Sequence, residues 1–185
     1  MTSRHDLETL RALARTGKLP PLLCFWGHRQ RADGQVSSSC FSQWYPSPFE
    51  VDGVACASAE HFMMAEKARL FGDRDTLQSI LAAATPNDAK SLGRRVQGYD
   101  DRRWEAARFD IVVRGNFAKF SANGKLRRFL LATSPQVLVE ASPVDAIWGI
   151  GLAADDPRAM DPLQWQGLNL LGFALMLVRD RLGED

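Results

Sequence analysis

Two groups of residues have the types and spacing to carry chemistry. The first is Glu140-Ala-Ser-Pro-Val-Asp145-Ala-Ile-Trp148-Gly149-Ile-Gly151, where two carboxylates, an indole and two glycines directly follow the apolar run Val137-Leu138-Val139. That run reads as a short buried strand, and Pro143 with the glycines stops regular structure. The acids and Trp148 therefore emerge on a tight loop at the end of a rigid element, the usual place for proton-carrying groups. The plainer reading is a strand end with a solvated acid and a core tryptophan. The second group is Glu60, Met64 and Lys67, spaced four and three residues apart, which places a carboxylate and an amine on one stripe of a helix. Taken alone, that spacing favours a half-buried ion pair or two snorkelling surface groups. Arg94 and Arg95 can hold a phosphate or simply face water.

The elements that position these residues follow from turn and cap signals. Leu22 to Trp26 is a compact apolar run after Pro20-Pro21 and reads as a buried strand, followed by a polar loop from Gly27 to Ser39. Asp52-Gly53 between Phe49-Glu-Val51 and Val54-Ala-Cys56 predicts a hairpin, because that dipeptide tolerates the positive φ of a primed turn. Ser58 caps a helix with Glu60 in its first turn, running to about Phe71. Thr85-Pro86-Asn87-Asp88 starts a short helix that Gly93 is placed to stop. A long helix spans Asp101 to about Ser121 with Trp104, Ala107, Ile111 and Gly115 along one face, and Asn123 caps another from Leu126 to about Ala132. Ala153 to Pro162 is acidic and irregular, and Gly167 to Val178 is a strongly apolar helix ending in Arg179 to Arg181. Met1 to Lys18 has only a modest helical pattern with no strong cap and reads as a loose helix or a frayed extension, so residues 1–20 are an N-terminal extension and 21–185 one domain. Short strands among several helices, without regular βα alternation, predict a mainly helical α+β domain with a few short strands.

Composition narrows the function. Lys+Arg number 23 against Asp+Glu 22, a formal charge of +1, which gives no argument for a polyanion-binding or membrane surface. Cys24, Cys40 and Cys56 lack paired spacing and read as buried free thiols. His5, His28 and His61 show no ligand spacing, so no metal is expected, and His61 reads as a packed or hydrogen-bonded helix residue. No apolar run approaches the ~20 residues of a membrane span, and no secretory segment opens the chain, so a cytoplasmic protein is expected.

The ordered motifs resemble one family. These are Phe41-Ser42 with Pro46, Pro48-Phe49 and Asp52-Gly53; Ser58-Ala-Glu60-His61-Phe62 with Lys67; Pro86, Ala89 and Leu92-Gly93-Arg94; Trp104; Lys119-Phe120 with Asn123; Leu138-Val139-Glu140-Ala-Ser-Pro143 with Asp145 and Trp148-Gly149-Ile-Gly151; and Trp165-x-Gly167-x-Asn169-x-Leu171-Gly172. Together they are similar to the YbiA-like or NADAR family in its stand-alone RibX-type form, from about Phe41 to Leu182. The resemblance implies an N-glycosidase that breaks a ribose C1–N bond and needs no cofactor. The implied substrate is a small phosphoribosylamino pyrimidine intermediate of riboflavin synthesis or, for other members, ADP-ribosylated guanine in nucleic acid.

Two routes fit the residues that the resemblance singles out, Glu60, Lys67, Glu140 and Asp145. In one, Glu140 or Asp145 stabilises an oxocarbenium-like ribosyl centre and prepares water while another acid protonates the leaving nitrogen. In the other, slightly favoured, Lys67 forms a Schiff base with the opened sugar and Glu60 or Glu140 moves the protons. For binding, Trp148 and Trp104 are candidates to stack on base or sugar and Arg94 to hold phosphate, with Phe41, Ser42, Gly149 and Asn169 as further contacts. Trp104, on a long helix, also reads as core. Positions 42 to 44 depart from the family's Ser-Asn-Phe and Met64 replaces a frequent glutamine, which bears on base selectivity. A non-catalytic sensor of NAD-like or ADP-ribose-like ligands is a third reading, against which the intact reactive set counts. Oligomeric state is not fixed by these features.

Overall fold

A computed structural model describes residues 5–184. Among them the elements run α1 Leu7–Arg15, β1 Leu22–Phe25, β2 Phe49–Val51, β3 Val54–Cys56, α2 Ala59–Phe71, α3 Arg74–Leu81, α4 Pro86–Gly93, α5 Asp101–Ala122, α6 Gly124–Leu131, β4 Val137–Glu140 and α7 Leu170–Glu184. Short 3-10 turns occupy Ser38–Phe41 and Pro157–Met160. The fold is α+β and mainly helical, with a few short strands. Two compact units divide it, one formed by residues 5–42 with 127–184, the other by residues 43–126. No helix among the described residues is long and apolar enough to cross a membrane.

In the first unit β1 and β4 pair in parallel, from Leu22 opposite Val137 to Phe25 opposite Glu140. Val137, Leu138 and Val139 are all buried, the continuous apolar run that a strand covered on both faces requires. Helix α7 packs on β4 and is buried nearly all round from Leu171 to Met176, as the spine of this unit. Gly172 permits that approach: a Cβ there would overlap the Leu138 carbonyl oxygen. The helix begins at Leu170 rather than at Gly167. Leu168 N–H donates to Ala146 O and Asn169 N–H to Gly149 O, so these residues belong to the preceding loop, and Asn169 stands at φ 53.

The N-terminal stretch corrects its expectation. Asp6 caps α1 through Oδ1, 2.7 Å from Thr9 N, Leu10 is buried, and Arg11 Nε donates to Pro162 O at 3.2 Å. The helix is thus held to its own unit, not frayed; residues 1–4 lie outside the described ones. Cys40 and Cys56 are buried free thiols, whereas Cys24 is only half-buried.

In the second unit the hairpin turns at Asp52 and Gly53, with φ of 51 and 76. Ser58 caps α2 and Gly72, at φ 76, ends it; between them Ala59 to Glu66 are all buried. Helix α3, which no signal had marked, is capped by Asp73, whose carboxylate accepts from Thr76 N and Gln97 N. Gly93 lies inside α4 and does not stop it through a left-handed turn. Its use is space, since a Cβ there would overlap the Met64 sulfur. Gly115 plays the same part on α5, where a Cβ would sit 2.5 Å from the Phe62 ring, itself packed on Phe49. Gly115→Ala is therefore expected to destabilise the protein by about 1–3 kcal/mol, read as a lower urea midpoint. Buried Glu66 pairs with both Arg69 and Arg114. Burial first, then the Glu66 charge, pushes the Cys56 thiol up to about 11, with Arg69 partly opposing, so this thiol is structural.

Candidate active site

The second unit builds a constellation around Lys67. This residue lies in the last turns of α2, half-buried, with Nζ 4.2 Å from the centre of the Tyr99 ring and 5.6 Å from that of Trp104. Trp104 is buried in the first turns of α5, so it serves as core and as one wall beside the amine. Tyr99 is 43% exposed in the turn before α5 and meets Phe71 edge-on at 5.3 Å; burial first, then the neighbouring Asp101 carboxylate, push its hydroxyl up. Burial pushes the Lys67 ammonium below its ordinary range; Asp101 opposes that shift and Arg94 adds to it. An amine so placed sheds its proton more readily than a surface lysine, the requirement for a nucleophile.

Arg94 is exposed at the C-cap of α4, and its charge reaches Lys67. Removing it lifts one of the two influences that disfavour the ammonium. Arg94→Ala is therefore expected to move the titration of Lys67, and the acid limb of any activity that needs the free amine, to higher pH. A pH–rate profile of the two proteins reads this directly.

Glu60 lies in the first turn of α2, 3% exposed, its N–H donating to Gln43 O at 2.9 Å. Seven residues along a helix separate its backbone from that of Lys67 by roughly 10 Å at 1.5 Å per residue, so the shared stripe alone does not build an ion pair. His61 is a packed helix residue. Its Nε2 is 3.1 Å from Ala83 O, which only accepts, so Nδ1 takes the Ser58 hydroxyl proton at 2.8 Å.

The first unit builds a second constellation at the end of β4. Glu140 is half-buried, and its backbone is held on both sides. Its N–H donates to Asn169 Oδ1 at 2.9 Å, and its carbonyl accepts from Ser142 N and Ile150 N. Asp145 organises the loop: Oδ1 accepts from Ile147 N at 2.9 Å and from Trp148 N at 2.8 Å, and its carbonyl accepts from Gly151 N. These bonds fix the half-buried Trp148 at the head of the turn. The loop can close this tightly because Gly149 has no side chain, a Cβ there falling 2.7 Å from Glu140 O.

Three expected contacts are supports instead. Asn169 has no exposed surface, and both ends of its amide are engaged, Oδ1 by Glu140 N and Nδ2 by Leu138 O at 2.9 Å. Phe41 likewise has no exposed surface and packs on Phe25 at 5.4 Å and Phe129 at 5.5 Å. Gly149 is buried where its carbonyl meets Asn169 N. Side chains without exposed surface do not line an open pocket. Ser42 is half-buried at the end of the Ser38–Phe41 turn.

Tyr99 and Asp101 are functional candidates that sequence reasoning missed. The available signal was an aromatic immediately before the cap Asp100, which accepts from Arg103 N at 2.8 Å, one turn ahead of Trp104. Among the described residues no three His, Cys, Asp or Glu side chains group as metal ligands would.

Comparison with known proteins sets this geometry in a family. The model of the NADAR domain matches residues 24–183. A protein of Acanthamoeba polyphaga mimivirus named as an N-glycosidase is 43% identical over 151 residues, covering 79% of this chain and 89% of its own length. The N-glycosidase YbiA of Escherichia coli is 32% identical over 151 residues, 82% of this chain and 84% of that protein. The NMR structure of Escherichia coli YbiA superposes with a TM-score of 0.70 at 28% identity, over 89% of this chain and 86% of that one. This chain belongs to the NADAR family.

Proposed function

We propose that this chain, an N-glycosidase by its family and its named relatives, hydrolyses the ribose C1–N bond of a phosphoribosylamino pyrimidine intermediate of riboflavin synthesis in the cytoplasm. The observation that carries this reading is Lys67: an amine set against two aromatic rings, with its ammonium disfavoured by burial and by Arg94.

The ribosylamine opens when the C1–O4 bond breaks, the nitrogen lone pair forms C1=N, and the ring oxygen takes a proton. The Lys67 lone pair adds to C1. The C1–N bond to the base then breaks, and the base nitrogen takes a proton and departs as the free amine, leaving an iminium on Nζ. Water adds to C1 and expels the lysine, so the sum is substrate plus water giving aminopyrimidine plus ribose 5-phosphate. Arg94 supports the sugar phosphate, as an exposed guanidinium whose charge already reaches Lys67. Glu60, on the same helix, is the proposed proton carrier of this route.

A second route, direct attack by water, draws on the other constellation. There Glu140 is fixed at a strand end and Asp145 at the head of a rigid turn, a mounting that suits carboxylates facing an oxocarbenium-like centre.

The test of the function is product release. Purified protein without added metal is incubated with the phosphoribosylamino pyrimidine and, separately, with DNA carrying ADP-ribosylated guanine. Release of ribose 5-phosphate from the first alone supports the reading. Release of ADP-ribose from the second alone moves the protein to nucleic-acid repair. Binding of ADP-ribose with no release from either supports a sensor.

A further inference from the structure

The aromatic setting of Lys67 does more than exclude water from an amine. A lysine that works through a Schiff base passes through two cations, the resting ammonium and the iminium, with a neutral amine between them. An aromatic face attracts the cations and is indifferent to the neutral form. Tyr99 is the nearer of the two rings, with Nζ 4.2 Å from its centre, and it is a costly residue to leave 43% exposed in a turn. The Phe71 ring meets it edge-on at 5.3 Å and fixes its plane beside the amine.

We propose that Tyr99 is a positioning residue of this site, its ring forming with Trp104 a cradle that holds the Lys67 head group and stabilises it in both of its cationic forms, with Phe71 fixing the ring. The inference rests on the Lys67 route proposed above and adds to it a residue that neither the motifs nor the carboxylates pointed to. It also identifies opposed influences on one amine. Burial and Arg94 of α4 disfavour the ammonium, while the Tyr99 ring and Asp101 at the start of α5 favour it. Arg108 and Glu105, farther along α5, act on the Tyr99 hydroxyl with opposite signs. The amine is left able to lose its proton, and the iminium that replaces it finds the same seat.

The test compares Tyr99→Phe, which keeps the ring, with Tyr99→Leu, which removes it. Tyr99→Gln suits an exposed turn and serves the same purpose should leucine disturb the fold. Lys67 is first titrated in the ligand-free proteins, by the pH dependence of its acetylation with acetic anhydride read by peptide mass spectrometry. Turnover of the ribosylamine is then measured across pH. Tyr99→Phe is expected to titrate close to the parent and retain turnover within about threefold, whereas the ringless variants titrate at lower pH and lose about tenfold in turnover. Unmoved titration in the ringless variants overturns the proposal, as does loss in Tyr99→Phe equal to that in Tyr99→Leu. A parent protein that releases nothing from any ribosylated substrate would sink the functional reading, and the ligand-free titration would still decide whether the cradle exists.

Discussion

Replacing Lys67 by alanine is expected to abolish turnover, lowering it by at least about a thousandfold, because the variant keeps the fold and loses the group proposed to bond to C1. The residue is half-buried on the last turns of a helix whose other side chains carry the packing, so truncation removes chemistry with little cost in stability. Lys67→Arg sharpens the point. It keeps the positive charge and much of the contact with Tyr99 and Trp104, yet a guanidinium does not lose its proton at working pH. If the lysine acts as a nucleophile, arginine is as inactive as alanine. If it acts only as a charge, arginine retains most of the activity, and a steady-state assay of the three proteins separates the cases.

The second large effect is expected at Asn169, and it is structural. Its amide binds the N–H of Glu140 and the carbonyl of Leu138, both on β4, so that alanine leaves two backbone groups of a largely buried strand without their partner. Each such orphan costs about 1–3 kcal/mol, and alanine at φ 53 adds strain of about 1 kcal/mol. Asn169→Ala should therefore lose roughly 3 kcal/mol or more, and Asn169→Gly slightly less because only the strain is relieved. Urea denaturation of both variants checks the order. Activity should fall with stability, since the strand end that the amide holds is the mount of Glu140.

Much of this fold was legible because its elements are marked by local chemistry. Asp52-Gly53 turns the hairpin, Ser58 caps α2, and Thr85-Pro86 opens α4, each acting within three or four residues of itself. What escaped depends on distant partners. Asn169 stands in an apolar run, where a polar residue invites a binding role, but its amide is spent on atoms 29 and 31 residues away. The same loop hydrogen bonds draw Gly167 to Asn169 out of the helix that their neighbours suggested. Gly93 invites reading as a helix stop, although it is needed for the passage of Met64.

The candidate site divides in the same way. Lys67 and Glu60 stand out through the family motif, since their spacing on α2 alone favours an ion pair or surface groups, and Trp104 reads as core as well as a wall. Tyr99 does not, because it becomes a neighbour of Lys67 only when the turn after α4 brings it to Phe71 on α2. Phe41, within a family motif, suggested a contact with substrate, yet the rings of Phe25 and Phe129 enclose it.

The most direct measurement of the central claim is reductive trapping. The protein is mixed with the phosphoribosylamino pyrimidine and treated with sodium cyanoborohydride during turnover, and its peptides are mapped by mass spectrometry. A Schiff base at Lys67 predicts a reduced pentose phosphate on the Lys67 peptide and its absence from Lys67→Ala. Continued release of ribose 5-phosphate with no sugar on any lysine would contradict the covalent route and leave attack by water as the mechanism.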